Sequence, residues 1–202
     1  DEVFDALFAR GQIVVHPSDV ERTAALARLG AAGDLVMAST REQVADLNAA
    51  IRAQRTHVDP LSGGRPTVTT SRGETLTVGD RVATRRNDPD LRVANRQTWT
   101  VTGVGGDGSV TLHDRGRDQI VPAEYAREHV ELAYATTVHG AQGETVTRAH
   151  VALTGSTGAA AAYVSMTRGR AGNTAHLVAE TLEDAKQQWV DAFARNRSDL
   201  GP

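Results

Sequence analysis

The chain holds 202 residues, 40% of them apolar, with a formal net charge of −3; this suits one large domain or two small ones with a real core. Cysteine is absent, which excludes a disulfide framework and a thiolate metal site and suits a reducing cytoplasm. No apolar run approaches the roughly 20 residues of a membrane helix, and the slight acidity does not advertise a nucleic-acid binder, although Arg81, Arg85, Arg86, Arg92 and Arg96 bunch in one short stretch.

Val3, Phe4, Leu7 and Phe8 fall at helical spacing over residues 2–10, and Gly11 is the expected stop. Residues 13–15 suit a short apolar strand. Ser18 or Asp19 can cap a second helix that reaches about Leu29 and ends at Gly30. Residues 35–38 read as a buried strand, and Ser39-Thr-Arg-Glu42 fits a capping box opening a helix with Val44, Leu47 and Ile51 inward. Buried strands alternating with covering helices describe an α/β layer.

Between residues 59 and 123 the texture changes, with more Gly, Pro and Thr and no helical period. Strands are expected at 67–70, 75–77, 81–84, 98–104, 110–113 and 120–121, separated by turn residues at close intervals, as in a small barrel. Asp59-Pro60 and Val121-Pro122 mark its boundaries. From Val130 the α/β texture resumes: a strand over 130–137, a glycine-marked turn, a strand over 149–153, an alanine-rich helix and a strand over 175–178. A last helix from Leu182 places Leu182, Ala185, Trp189 and Phe193 on one face. The simplest layout is one α/β parallel-sheet domain, residues 1–58 and 129–202, interrupted by an inserted small β-barrel at 59–128. The chain begins at Asp1 with no initiator methionine and no signal-peptide pattern, so it reads as a piece of something longer.

Chemistry concentrates in the second half. Around Gly140 and Gly143, hydroxyls (Thr136, Thr137, Thr145), the His139 imidazole and the Gln142 amide crowd one turn at the end of a buried strand. Open α/β sheets place their ligands at such turns. The alanine-rich run 159–162 then leads into Thr167-Arg-Gly-Arg170, which presents guanidinium groups at a helix's last turn or exit. On chemistry alone, Arg168 is either poised for a phosphate or simply completes a helix C-terminus, and a lone histidine such as His139 is more often satisfied by neighbouring backbone.

Thr137-x-His139-x-x-Gln142-Gly143-x-Thr145 resembles motif V of superfamily 1 helicases, and Tyr163-Val-Ser-Met-Thr167-Arg168-Gly-Arg170 resembles their motif VI, in the family's order. The similarity is greatest to the RecD-like helicase portion of TraA/TrwC-type conjugative relaxases and covers nearly the whole chain. It implies the second RecA-like domain of a 5′-to-3′ DNA helicase, split by a small barrel of the Src-homology-3 kind. The first RecA-like domain, with its Walker loops, would lie upstream. By the same resemblance, Arg168 reaches the γ-phosphate of ATP, where a positive charge gains most in the transition state. Gln142, Gly143, Thr145 and Arg170 lie on the nucleotide side, with a salt bridge as the other reading of Arg170. Thr137 and His139 face the backbone of single-stranded DNA, which a hydroxyl and an imidazole can bind without reading sequence. Members often carry Glu where Thr145 stands, which weakens any charged contact there. ATP and Mg²⁺ would be bound mainly by the upstream domain, and the conjugation machinery is a further implied partner.

In the barrel, Arg85 and Arg86 are candidates for DNA phosphate contacts and equally for a solvated face, while Trp99 is expected in the barrel core. Gly103-Val-Gly-Gly-Asp-Gly108 fits a dinucleotide-binding pattern, but it lies between two strands and reads as a hairpin turn. The one lysine, Lys186, is not in a Gly-Lys-Ser/Thr loop, so the chain alone should not hydrolyse ATP. No His-x-x-x-His occurs, and no metal site is indicated. Thr40, Arg41, Asn48 and Arg52 suit a cap and a solvated helix face, with no role assigned. A non-catalytic single-stranded-DNA-binding or interaction module with a helicase-like fold accounts equally well for the missing Walker loop.

Overall fold

Residues 2–58, 65–143, 145–155 and 157–194 are described in the structure, a computed structural model. The chain divides into two units, Asp1–Ile51 with Ala135–Pro202, and Arg52–Tyr134.

The first unit begins with helix α1 (Glu2–Ala9), strand β1 (Ile13–His16) and helix α2 (Asp19–Ala31). The Ser18 hydroxyl caps α2 by accepting from the Glu21 N–H at 3.2 Å. The helix does not stop at Gly30. That glycine is buried within it, because a Cβ there would lie 2.5 Å from Ile51 Cδ1 and 3.2 Å from Val36. Strand β2 (Leu35–Ala38) is buried throughout and leads to α3 (Arg41–Val58). The capping box sits one residue later than the sequence suggests. Thr40 Oγ1 accepts from the Gln43 N–H and Gln43 Oε1 accepts from the Thr40 N–H, both at 3.2 Å. Gln serves the box as well as Glu, and the Ser39 hydroxyl is engaged instead with Thr157.

The second unit contains β3 (Thr67–Thr69), β4 (Thr75–Thr77), β5 (Arg81–Thr84), β6 (Thr98–Val104), β7 (Val110–Asp114), β8 (Arg117–Val121), α4 (Ala123–His129) and β9 (Val130–Leu132). Five strands form an antiparallel sheet in the order β8-β7-β6-β5-β9, and β3 pairs with β4. Trp99 is buried here, and its Nε1–H donates to Thr84 Oγ1 at 3.3 Å. The glycines at 103–108 form the β6–β7 hairpin, where Gly105 N–H donates to the Ser109 carbonyl at 2.8 Å and Gly108 has a φ of 84°.

Two expected boundaries move. The unit extends beyond residue 128, because Pro122 opens α4 and β9 pairs with β5. The strand expected over 130–137 is therefore two strands in two different sheets. Tyr134 ends the second unit with its hydroxyl donating to Asp80 Oδ1 at 2.8 Å. Asp80 Oδ2 also accepts from Thr77 N–H at 2.7 Å and from Arg52 Nε at 3.2 Å. The unit opens at Arg52, within α3, rather than after residue 58. The Asp59-Pro60 boundary lies outside the described residues.

The first unit resumes with β10 (Ala135–Thr137), β11 (Val146–Ala152), α5 (Ala159–Ser165), β12 (Gly169–Val178) and α6 (Leu182–Ala194). All its strands are parallel, in the order β1-β12-β11-β2-β10. One sheet face joins Phe4, Met37, Leu153, Ala162, Leu177 and Trp189 in a core, each large side chain contributing about 1.5–3 kcal/mol by leaving water. On α6, Ala185, Trp189 and Ala192 turn inward while Leu182 is exposed.

The opposite face carries Val36 and a chain of imidazoles. His16 Nε2 lies 2.9 Å from His176 Nδ1, His176 Nε2 lies 3.1 Å from His150 Nδ1, and His150 Nε2 lies 3.1 Å from Asp34 Oδ2. An ionised carboxylate only accepts, so with one N–H per ring every donor in the relay points toward Asp34. Burial, reinforced by the charges of His150, His16 and Arg22 on protonation, holds His176 down to about 3.

Candidate functional site

Thr137 is the last residue of β10, and a tight turn is folded onto it. Its Oγ1 accepts from Gly140 N–H and its carbonyl accepts from Ala141 N–H, both at 3.0 Å. The hydroxyl proton remains available to donate outward. Gly140 is required by close approach, since a Cβ would lie 2.3 Å from Thr136 Oγ1, and Gly143 turns with a φ of 88°. Val138 and Ala141 are buried in the core, leaving His139, Gln142, Gly143 and Thr145 exposed along one loop.

That loop joins the two edges of the sheet. In parallel strands, the end of β10 lies at the carboxyl edge and the start of β11 at the amino edge. At the latter, Val146 N–H donates to the Arg168 carbonyl at 3.0 Å. The Thr137 turn and the strand start that holds the Arg168 carbonyl are thus separated in sequence by residues 138–145 alone.

Arg168 leaves α5 just after its last turn, half-buried. Its Nε donates to the Val164 carbonyl at 3.1 Å and its Nη2 donates to Thr167 Oγ1 at 3.1 Å, so the guanidinium rests on the negative end of the helix. Arg170 is exposed and belongs to β12, not to a helix exit. At the carboxyl edge, Ser39 Oγ lies 2.8 Å from Thr157 Oγ1, and Thr154 N–H donates to Thr157 Oγ1 at 3.1 Å. This hydroxyl cluster carried no sequence motif.

No family model matches the chain. The multifunctional conjugation protein TraI of Escherichia coli is 37% identical over 124 residues, which are 57% of this chain and 7% of TraI. An ATP-dependent DNA helicase Pif1 of Bdellovibrio bacteriovorus is 31% identical over 117 residues, 51% of this chain and 27% of that protein. An uncharacterised protein of Mycobacterium tuberculosis is 32% identical over 126 residues, covering 57% of this chain and 72% of that protein. Among solved structures, Bacteroides Pif1 bound to single-stranded DNA matches 86% of this chain and 44% of its own, with a TM-score of 0.59 at 17% identity.

Over about half of its own length the chain is similar to TraI and to the Bdellovibrio Pif1, which supports a superfamily 1 helicase-like domain related to TraI.

Within this helicase-like domain the remaining expected residues are dispersed. Arg85 and Arg86 belong to the second unit and both have partners: Arg85 Nε contacts Glu131 Oε2 at 2.8 Å, and Arg86 Nη1 lies 3.3 Å from His129 Nε2. Asn48 is buried and its Oδ1 accepts from Ala135 N–H at 2.7 Å, which fixes the start of β10 and hence the Thr137 turn. Its position on the stripe of Val44, Leu47 and Ile51 was the signal that it faces inward. Asn173 was also missed. Its side chain bonds both polar atoms of the Gly169 backbone, a contact that no motif or spacing in the sequence signalled. Lys186 is committed to Asp5 at 2.8 Å. Among the described residues, no group of three or more His, Asp or Glu is arranged to hold a metal ion, and no helix is long and apolar enough to cross a membrane.

Proposed function

We propose that this chain is the C-terminal RecA-like motor domain of an ATP-dependent DNA helicase, of the RecD-like kind and moving 5′ to 3′, within a cytoplasmic conjugative relaxase-helicase. The observation that carries the reading is that β10 ends in the Thr137 turn on one sheet edge while β11 begins on the other with Val146 N–H bonded to the Arg168 carbonyl, the loop 138–145 lying between them in sequence. Such a loop is suited to couple a DNA track to a nucleotide cleft. Similarity to TraI and to Pif1 supports the helicase class.

Thr137 and His139 then donate to phosphate oxygens of single-stranded DNA, indifferent to base identity. ATP and Mg²⁺ are held mainly by an upstream RecA-like domain of the same protein. Arg168 swings from Val164 and Thr167 to the γ-phosphate as the cleft closes, while Gln142, Gly143, Thr145 and Arg170 line the nucleotide side. Charge placed on the transferring phosphoryl group contributes roughly 10³ to 10⁵ in rate in other NTPases. Closure on ATP and opening after hydrolysis would ratchet the two domains along the strand. The second unit is read as a small barrel of the Src-homology-3 kind, supported by its meander of short antiparallel strands around Trp99. Arg86 and, once released from Glu131, Arg85 would touch DNA there. Alone, the chain is inactive, and the conjugation machinery is a further partner.

Strand displacement by the intact protein tests this. With ATP, a duplex with a 5′ single-stranded tail should be unwound and a 3′-tailed one left intact. DNA binding with no ATP-driven displacement on either substrate would favour a non-catalytic single-stranded-DNA-binding module.

A further inference from the structure

The segment between Arg168 and Arg170 has a construction that the motif pattern does not explain. In the β11–β12 ladder, Val146 pairs with Gly169 and Arg148 pairs with Gly172, so β12 carries one extra residue between those rungs. Bulges of this kind redirect the side chains they carry and are concentrated beside active sites. Gly169 lies against the far limb of the bulge, where a Cβ would be 2.0 Å from the Gly172 carbonyl oxygen and 3.1 Å from Ala149 N. Only glycine fits.

The bulge is closed by one side chain. Asn173 Oδ1 accepts from Gly169 N–H at 2.7 Å, and Asn173 Nδ2 donates to the Gly169 carbonyl at 2.9 Å. A carboxamide presents a donor and an acceptor side by side, which lets it bind both peptide groups of a single residue. Those two peptide groups are the ones that join Gly169 to Arg168 and to Arg170. On the other side of the same residue pair, Val146 N–H holds the Arg168 carbonyl. Arg168 is bonded to its own segment through Val164 and Thr167, and its main chain runs directly into the Gly169 backbone that Asn173 grips, so that grip bears on the direction in which Arg168 leaves the sheet.

We infer that Asn173 is the positioning residue of the Arg168-Gly169 step, aiming the Arg168 guanidinium at the triphosphate through the Gly169 backbone without touching nucleotide itself. The inference rests on the reading of Arg168 as the γ-phosphate residue.

The test uses the intact protein and compares Asn173→Ala, Arg168→Ala and the double variant in DNA-stimulated ATP turnover. Misplacing a catalytic group by about an ångström costs on the order of 10²-fold, so Asn173→Ala should lower kcat by roughly 10- to 100-fold while KM for ATP stays within about threefold. In the double variant the two losses should not multiply: it should be no slower than Arg168→Ala. Asn173→Asp, which keeps the bond from Gly169 N–H and loses the other, should fall between wild type and Asn173→Ala, and it stands in if the alanine variant does not fold. A residue that only stabilises the fold would lower the melting temperature and the active fraction, leaving kcat per folded molecule unchanged. That result, or multiplicative losses in the double variant, overturns the inference. If Arg168→Ala itself leaves turnover intact, the functional reading fails as a whole; if Arg168→Ala abolishes turnover and Asn173→Ala does not change it, only the positioning role fails.

Discussion

Acid should destabilise the first unit through the imidazole relay. His176 is held at about 3 from an ordinary 6.5 by burial first and then by its charged neighbours. His16 is lowered in the same direction, by burial and then by Arg22. The unfolded chain therefore takes up a proton near pH 6.5 that the folded chain refuses until about pH 3, so stability is full above the upper value and falls as pH drops between the two. One pKa unit corresponds to about 1.4 kcal/mol, which puts the loss from His176 at about 2 kcal/mol by about pH 5. The groups that face the relay are Asp34, Arg22, Glu21 and Arg28, and none places a carboxylate against His176 itself. Trp189 lies in this unit and Trp99 in the other, so a Trp99→Phe background lets Trp189 fluorescence report the first unit alone in urea. Between about pH 7.5 and about pH 5, the chain should lose about 2 kcal/mol more than its His176→Gln variant, which keeps a donor but cannot titrate. Equal losses in the two proteins would refute the reasoning, and His176 would then take up its proton in the folded state.

Removing the Asn48 amide as Asn48→Ala leaves Ala135 N–H without its buried acceptor and should cost about 1–3 kcal/mol, read by Trp189 in urea. In the second unit, Tyr134→Phe deletes the bond to the Asp80 carboxylate; a loss of about 1.5–3 kcal/mol is expected from Trp99 fluorescence, and an unchanged midpoint would mean Arg52 and Thr77 suffice for Asp80. Gly169→Ala forces a methyl against the Gly172 carbonyl and should cost about 1–3 kcal/mol in the first unit while leaving the second unit's urea midpoint unchanged. His139→Ala in the intact protein should weaken binding to oligothymidylate and to a mixed-sequence strand by the same factor; a loss confined to one sequence would contradict a backbone contact.

Much of the parallel sheet was legible because its strands carry short buried apolar runs and its helices are amphipathic. Residues 35–38, buried throughout, and the Val44, Leu47 and Ile51 stripe are plain instances. What escaped the sequence was contact made at a distance. Gly30 reads as a helix stop until Ile51 is brought against it. The apolar run at 130–137 reads as one strand because nothing local reveals that Tyr134 must turn to reach Asp80, 54 residues away. The seven-residue α4 is too short for a periodic signal, with only Tyr125 and Ala126 buried. At the candidate site, the order of Thr137, His139, Gln142 and Arg168 was readable from the motifs. Their arrangement on opposite sheet edges, and the part of Asn173 in holding Gly169, depended on the β11–β12 register, which no spacing in the sequence encodes.

The central claim is that Arg168 acts on ATP. It is tested most directly by ATP turnover of the intact protein with and without single-stranded DNA, comparing wild type with Arg168→Ala and measuring DNA affinity in parallel. The account predicts that DNA-stimulated turnover falls by roughly 10³-fold or more while DNA affinity changes little. Undiminished turnover in the variant would contradict it.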